Sequence, residues 1–443
     1  MSCDENNAHI EKMKLSMFNV IERVEDGILI YNTNSGGILK LNKKYEEKYN
    51  ALARNEEMDD KELKDALIEG GMIIEETKGN EVEKLLLENK IVRFSGNSIG
   101  LTIAPTMACN FRCPYCYEKG KEYVTMNKDT IEKIKEYIRN LKERYKLIDI
   151  VWYGGEPLLA FDIIKELMEE VYKNFERKNV SASAITNGYL LSKDIVLEMK
   201  KLNINDIQVT IDGPPEIHNE RRRLPSGADT FFVILNNLKE ALEAYPELKV
   251  AVRINVDKTN INRIDEIEGH LKEFGLLNKI SPYISPVTNN NENCVDGHCF
   301  NVQEFALEEI NFMKKNLDNG MSLINVPDKK VGMCSAVSYN SWVIDAKGDF
   351  YKCWEGIGEF SENVGNIFQE RLDINKNLLK WLSYSIEDDE ECMKCPYLPV
   401  CMGGCPNYRV SNKKKNCHPI KENANQIVRL IYGMSRQKAE NNA

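Results

Sequence analysis

Residues 99–118 read IGLTIAPTMACNFRCPYCYE: an apolar run of strand length that passes directly into Cys109, Cys113 and Cys116, spaced C-x-x-x-C-x-x-C. A parallel strand buried on both faces reads as a near-continuous apolar run rather than an alternation. The same kind of run recurs at IDIVWYG (148–154), ASAITNG (182–188), IQVTIDG (207–213), VAVRINV (250–256) and KISPYIS (279–285). Between the runs lie amphipathic stretches such as DTIEKIKEYIRNLKERY (129–145) and DIIKELMEEVYKNF (162–175). Strands alternating with helices predict an α/β fold built on a parallel sheet. Six units fit a partial (β/α)6 barrel over residues 94–316, with its chemistry at the C-terminal ends of the strands. A doubly wound open sheet would give the same alternation and stands as the structural alternative.

Outward from this core the pattern changes on both sides. Residues 1–93 hold strand-like alternation in MFNVIERV, GILIYNT and GILKLN, with a turn at SGG, then helical patterns in KKYEEKYNALA and DKELKDALIEG. A small three-stranded sheet carrying helices follows, similar to a winged helix-turn-helix. Residues 317–443 show little periodicity and, from about Val331, are rich in Cys, Gly and Pro. Such a stretch is expected to bury little apolar surface and to be held together by metal instead.

The chain has 443 residues, enough for two or three cores, and a formal net charge of -10, which gives no electrostatic support for a nucleic-acid or anionic-membrane partner. Its first residues are polar and it has no apolar run of about 18 residues, so a cytoplasmic location is expected. In that compartment thiols stay reduced, and the 13 cysteines, all clustered except Cys3, read as metal ligands or reactive thiols.

Three thiolates on one short loop can hold three irons of a [4Fe-4S] cube and leave the fourth open to an outside ligand. No histidine lies near in sequence to complete a zinc site; the nearest are His9 and His218. The loop and the barrel pattern resemble the radical S-adenosylmethionine (SAM) superfamily, in which the open iron is chelated by SAM and an electron from the cluster releases a 5'-deoxyadenosyl radical. That resemblance implies that Tyr115 lies against the adenine. It also implies that Gly154, Gly155, Glu156 and Pro157 form the GGEP segment receiving the SAM amino group. In VTIDGPPEIHNERR it points to Thr210 as a SAM contact and to Arg222 as the partner of the SAM carboxylate, with Arg221 and Arg223 as neighbouring alternatives. Asn187, in the TNG at 186–188, and Arg253 with Asn255 end strands at the same mouth. No side chain stands out as catalytic.

Downstream, Cys334, Gly348 and Cys353 are spaced C-x13-G-x4-C, and Cys392, Cys395, Cys401, Cys405 and Cys417 follow as C-x2-C-x5-C-x3-C-x11-C. This resembles the SPASM extension of radical SAM enzymes that modify peptides and proteins. The resemblance implies one complete [4Fe-4S] cluster at Cys392, Cys395, Cys401 and Cys417, and another held by Cys334, Cys353 and Cys405. With the SAM cluster that makes three. The fourth ligand of the cluster at Cys334, Cys353 and Cys405 is left open among Cys294, Cys299 and a substrate thiolate, since Asp328 stands where some relatives carry a cysteine. Sulfatase-maturing members have an Asp directly after the second motif cysteine as a base. Here Trp354 follows Cys353, and an indole cannot accept a proton.

The N-terminal pattern resembles the leader-recognition domain of ribosomal-peptide maturases, in which a leader adds a strand to a sheet edge. DNA binding is disfavoured, because KYEEKYNALARNEEMDDKELKD offers no basic recognition face. The expectation is therefore a peptide maturase that takes a hydrogen from a precursor peptide and forms a cross-link, a Cys thioether foremost. It would be served by a flavodoxin- or ferredoxin-type electron donor. Carbon-carbon or carbon-oxygen cross-linking, and a SPASM enzyme acting on a protein or small molecule, are the alternatives.

Overall fold

The computed structural model describes residues 12–54, 56–288, 297–318, 327–370, 373–411 and 415–441. Near the N-terminus a short β1 (Met13–Leu15) precedes a meander of β2 (Asn19–Val24), β3 (Gly27–Asn32) and β4 (Ile38–Asn42), paired antiparallel in the order β2-β3-β4. Asn42 and Asp60 cap the two helices that follow, accepting from the backbone N–H groups of Tyr45 and Leu63. One face of the meander packs on these helices through Ile28, Ile30, Leu41, Tyr49 and Leu67. Then β5 (Ile73–Glu75) pairs with β1, and a helix over Glu81–Phe94 leads into the central sheet.

That sheet contains β6 (Ser98–Ile103), β7 (Leu147–Trp152), β8 (Val180–Thr186), β9 (Asp206–Thr210), β10 (Lys249–Val256) and β11 (Ser281–Pro286), each parallel to the next. They stand side by side in chain order with no reversal. A doubly wound sheet reverses its strand order at a switch point, so that alternative falls and the arrangement is the partial barrel. The intervening helices face it with apolar stripes: Asn127 caps the helix Lys128–Leu141, whose Ile131, Ile134, Ile138 and Leu141 are buried.

The expectation of a core-poor C-terminal region is corrected. β12 (Ser341–Ile344) joins the free edge of β6 in parallel, and β13 (Asp349–Tyr351) and β14 (Gly365–Asn366) extend the same sheet antiparallel. Trp342, Val343, Ile344 and Phe350 enter the barrel core. Ala336, Val337, Trp381, Leu398 and Met402 form a second core with Phe18, Val82 and Leu85 from the N-terminal region. The final helix, Ile420–Asn441, sets Val428 against Val20, Leu29 and Tyr31 on the outer face of the meander. Periodicity hid these cores because the segments are short and their partners lie hundreds of residues away.

Candidate functional site

A cavity of about 590 Å³ opens where the parallel strands end. Its walls bring together Cys109, Cys113, Tyr115, Cys116, Gly154, Gly155, Glu156, Asn187, Thr210, Arg222, Arg253 and Asn255, with Cys334 and Cys353 on the side of the C-terminal region. Pro157 is buried and starts the short turn Pro157–Ala160, outside the lining.

The two glycines at 154 and 155 allow the end of β7 to press onto the cysteine loop. A Cβ on Gly154 would stand 2.3 Å from the Thr106 carbonyl oxygen, and one on Gly155 would stand 2.4 Å from that of Ala108. In this close approach Gly155 N–H donates to Thr106 O (3.2 Å) and Glu156 N–H to Ala108 O (2.9 Å). Glu156 is fully buried, and its carboxylate accepts from Leu158 N (3.0 Å), Thr186 Oγ1 (2.7 Å) and Asn187 N (2.7 Å). Burial pushes its pKa up while these donors oppose the rise. The carboxylate thus fastens the end of β7 to the end of β8.

Tyr115 is a polar hub. Its hydroxyl donates to Asp212 and accepts from Arg222 Nη1 (2.9 Å) and Asn255 Nδ2 (3.3 Å), which uses its one donor and two lone pairs. The Arg221 guanidinium lies 5.1 Å from the ring centroid. The arginine triplet separates cleanly. Arg221 turns to Asp212 (3.7 Å) and Asp257 (3.2 Å), Arg223 is exposed, and Arg222 lines the cavity with a buried Nε that has no partner among the described residues. Asn187 Nδ2 donates to Asn110 Oδ1 (2.7 Å), tying β8 to the cysteine loop, and Arg253 Nε donates to Asn255 Oδ1 (2.8 Å).

Burial pushes the Cys109 thiol up to about 12 and that of Cys116 to about 11, and raises Cys113 as well. Each of these thiols resists ionisation in its dry setting, and iron would remove the proton and balance the charge. Three such thiols on one loop, beside a guanidinium whose Nε is unpartnered among the described residues, fit a cluster with one open iron and an anionic group of its ligand. Among the described residues no three Cys, His, Asp or Glu side chains converge on a single-ion position.

The remaining motif cysteines fall into two groups. Cys392, Cys395, Cys401 and Cys417 line a much smaller pocket of about 20 Å³. Cys353, raised to about 12 chiefly by burial, also feels the charges of Cys334 and Cys405. Of the proposed fourth ligands, Cys294 lies outside the described residues, and Cys299 is disulfide-bonded.

Several cavity residues carry no signal in the sequence. Glu118 is 8 % exposed and lines the cavity, and its Oε2 has no partner among the described residues. Lys121, whose charge acts on it, donates instead to Ile357 O (2.5 Å) and Glu355 O (3.4 Å). Burial lifts the Glu118 carboxyl to about 7. Tyr153 and Trp354 lie with ring centroids 5.0 Å apart on the same wall. An acid two residues past a cysteine reads as a solvated charge, and only the folded cavity reveals otherwise.

The barrel and the thiol loop define a protein class. The model of the radical SAM superfamily matches residues 103–270, and over that stretch the chain carries a radical SAM domain. A domain of this kind works with a [4Fe-4S] cluster and SAM. Its relatives include the cysteine-type anaerobic sulfatase-maturating enzyme of Clostridium perfringens, 25% identical over 359 residues, which cover 71% of this chain and 90% of that protein. The radical SAM cyclopropyl synthase TigE of Paramaledivibacter caminithermalis is 24% identical over 438 residues, covering 87% of this chain and 88% of the relative. Among solved structures, Streptococcus suis SuiB bound to its precursor peptide SuiA superimposes with a TM-score of 0.53 at 16% identity, over 92% of this chain and 98% of that one. No helix among the described residues is long and apolar enough to cross a membrane.

Proposed function

We propose that the chain is a cytoplasmic peptide maturase that removes hydrogen from a ribosomally made precursor peptide and closes a cross-link, a thioether between a Cys sulfur and a carbon. In this reading residues 1–93 take the leader, 94–316 carry the SAM chemistry and 317–443 hold two further [4Fe-4S] clusters, one at Cys392, Cys395, Cys401 and Cys417 and one at Cys334, Cys353 and Cys405. A flavodoxin- or ferredoxin-type protein supplies electrons.

The observation that carries this reading is the shared cavity, with Cys109, Cys113 and Cys116 on one wall and Cys334 and Cys353 on another. Joining a thiol to a carbon removes two hydrogens, one as an atom and the other as a proton plus one electron. The reaction therefore needs a radical source and an electron acceptor beside the same substrate carbon. SAM on its cluster, when bound, supplies the radical. Arg222, with its free Nε, would take the SAM carboxylate, while Thr210, Asn187 and Arg253 bound the same pocket. Glu156 holds the strand ends in register, and the Tyr153–Trp354 wall keeps water from the substrate carbon.

Leader binding finds support in the meander, which leaves β4 at an edge while the final helix covers its outer face. SuiB, which binds a precursor peptide, covers 92% of this chain. Sulfatase maturation is disfavoured by Trp354, whose indole occupies the place where a base would stand and packs on Tyr153 instead. The test is co-production with a short peptide encoded beside the gene, followed by mass spectrometry. A loss of two hydrogens per cross-link, with 5'-deoxyadenosine released, is expected; an unmodified peptide with no deoxyadenosine would sink the reading.

A further inference from the structure

The four-cysteine cavity has an asymmetric surrounding. Arg409 directs three separate donors inward: Nε to Gly403 O (2.8 Å), Nη1 to Asp389 Oδ2 (2.9 Å) and Nη2 to the Cys392 sulfur (3.2 Å). Asp389 in turn accepts from Cys392 N (3.0 Å) and pairs with Lys415 (3.3 Å), so the cysteine is gripped at both its backbone and its sulfur. Lys415 also pairs with Glu391 (2.9 Å), as does Lys421 (3.2 Å). Among the described residues around this cavity three cations therefore meet two carboxylates, and of the three only Arg409 donates to a sulfur.

We infer that Arg409 is a positioning residue that raises the reduction potential of the [4Fe-4S] cluster held by Cys392, Cys395, Cys401 and Cys417, keeping it competent to take up one electron. This rests on the proposal that these four cysteines hold a cluster. The couple concerned gains a single electron and no atom is transferred. Reduction adds negative charge to the cluster and its thiolates, and a donor on sulfur together with a nearby cation stabilises the more negative form. A guanidinium keeps its charge at every working pH, so the effect does not depend on protonation. It is also fixed in place, because the Gly403 carbonyl and Asp389 hold the other two edges of the fork.

The test is a potentiometric titration followed by electron paramagnetic resonance, on full-length protein reconstituted with iron and sulfide, comparing wild type, Arg409→Gln and Arg409→Lys. In Arg409→Gln the reduced-to-oxidised ratio of one cluster should fall about tenfold at a fixed poise, equivalent to ~59 mV for a one-electron couple. Arg409→Lys, which keeps the charge but loses the fork, should shift the same wave less. The other waves should stay in place. Variants that hold full iron and titrate as wild type overturn the inference. If Arg409→Gln loses iron, Arg409→Lys decides: a downward shift supports the assignment and an unmoved wave overturns it. Wild-type protein that binds iron for one cluster alone overturns the cluster reading itself, and the inference with it.

Discussion

The two thiol sites solve opposite problems. Cys109, Cys113 and Cys116 sit on a loop at the rim of a barrel whose core is complete without them, facing a cavity of about 590 Å³. Cys392, Cys395, Cys401 and Cys417 line a pocket of only about 20 Å³, and their segment packs both on Phe18 and Val82 and on Ile420 and Ile427. The first has room for a second molecule and the second has none. The open site can admit a substrate beside its thiols, whereas the tight one leaves no space for it, which suits the electron-carrying role proposed for a cluster there.

The sharpest way to break this contrast is to empty the open site. Replacing Cys109, Cys113 and Cys116 with Ala together should abolish 5'-deoxyadenosine release and remove about four irons per chain, with the C-terminal iron retained. Residual deoxyadenosine in a chromatographic assay would overturn the assignment. Next in size is the effect of Cys395→Ala, which should lower the melting temperature of the reconstituted protein more than Cys113→Ala does, since its site joins distant segments. Equal melting of the two purified variants would mean that the apolar contacts of Trp381 and Leu398 carry the region unaided.

Glu156→Ala strands the Thr186 hydroxyl and the Asn187 N–H in a buried setting and should cost about 1–3 kcal/mol for each group left unpaired. Denaturant unfolding measures that loss, and a change below about 0.5 kcal/mol would show the strand ends held by other contacts. The smallest expected effect is that of Tyr115→Phe. It removes the hydroxyl linking Asp212, Arg222 and Asn255, but Arg222 and Asn255 line the cavity where water can reach them and Asp212 keeps the Asn255 N–H, so it should destabilise by about 1 kcal/mol. It should also weaken SAM binding in equilibrium dialysis, and unchanged affinity would confine the hub to a structural role.

Most of the barrel could be read from sequence because buried parallel strands are apolar runs that need no partner to be recognised. The cysteine loop and the GGEP turn were legible for a similar reason, since their chemistry is packed into a few consecutive positions. β1 and β5 were not, as three-residue strands carry no period. The helix Glu81–Phe94 escaped because Leu87, Ile91 and Phe94 point to solvent while Val82 and Leu85 are buried, which blurs any apolar face. The C-terminal cores depend on partners such as Phe18 and Val82, more than 200 residues away from Ala336, and no local pattern records such a distance. Glu118 and Asp212 acquire their setting only when loops from separate strands converge.

One pairing has a bearing on how the chain is made. Val20, Leu29 and Tyr31 leave the ribosome about 400 residues ahead of Val428, which covers them. Tyr397, between Cys395 and Cys401, packs on the same face, and Thr33 Oγ1 donates to Pro396 O (2.5 Å). At about 5–20 residues per second the nascent meander waits roughly 20–80 s with that face bare. During this interval the sticky surface is a natural client for a ribosome-bound chaperone, and a chain released before residue 420 would carry it permanently.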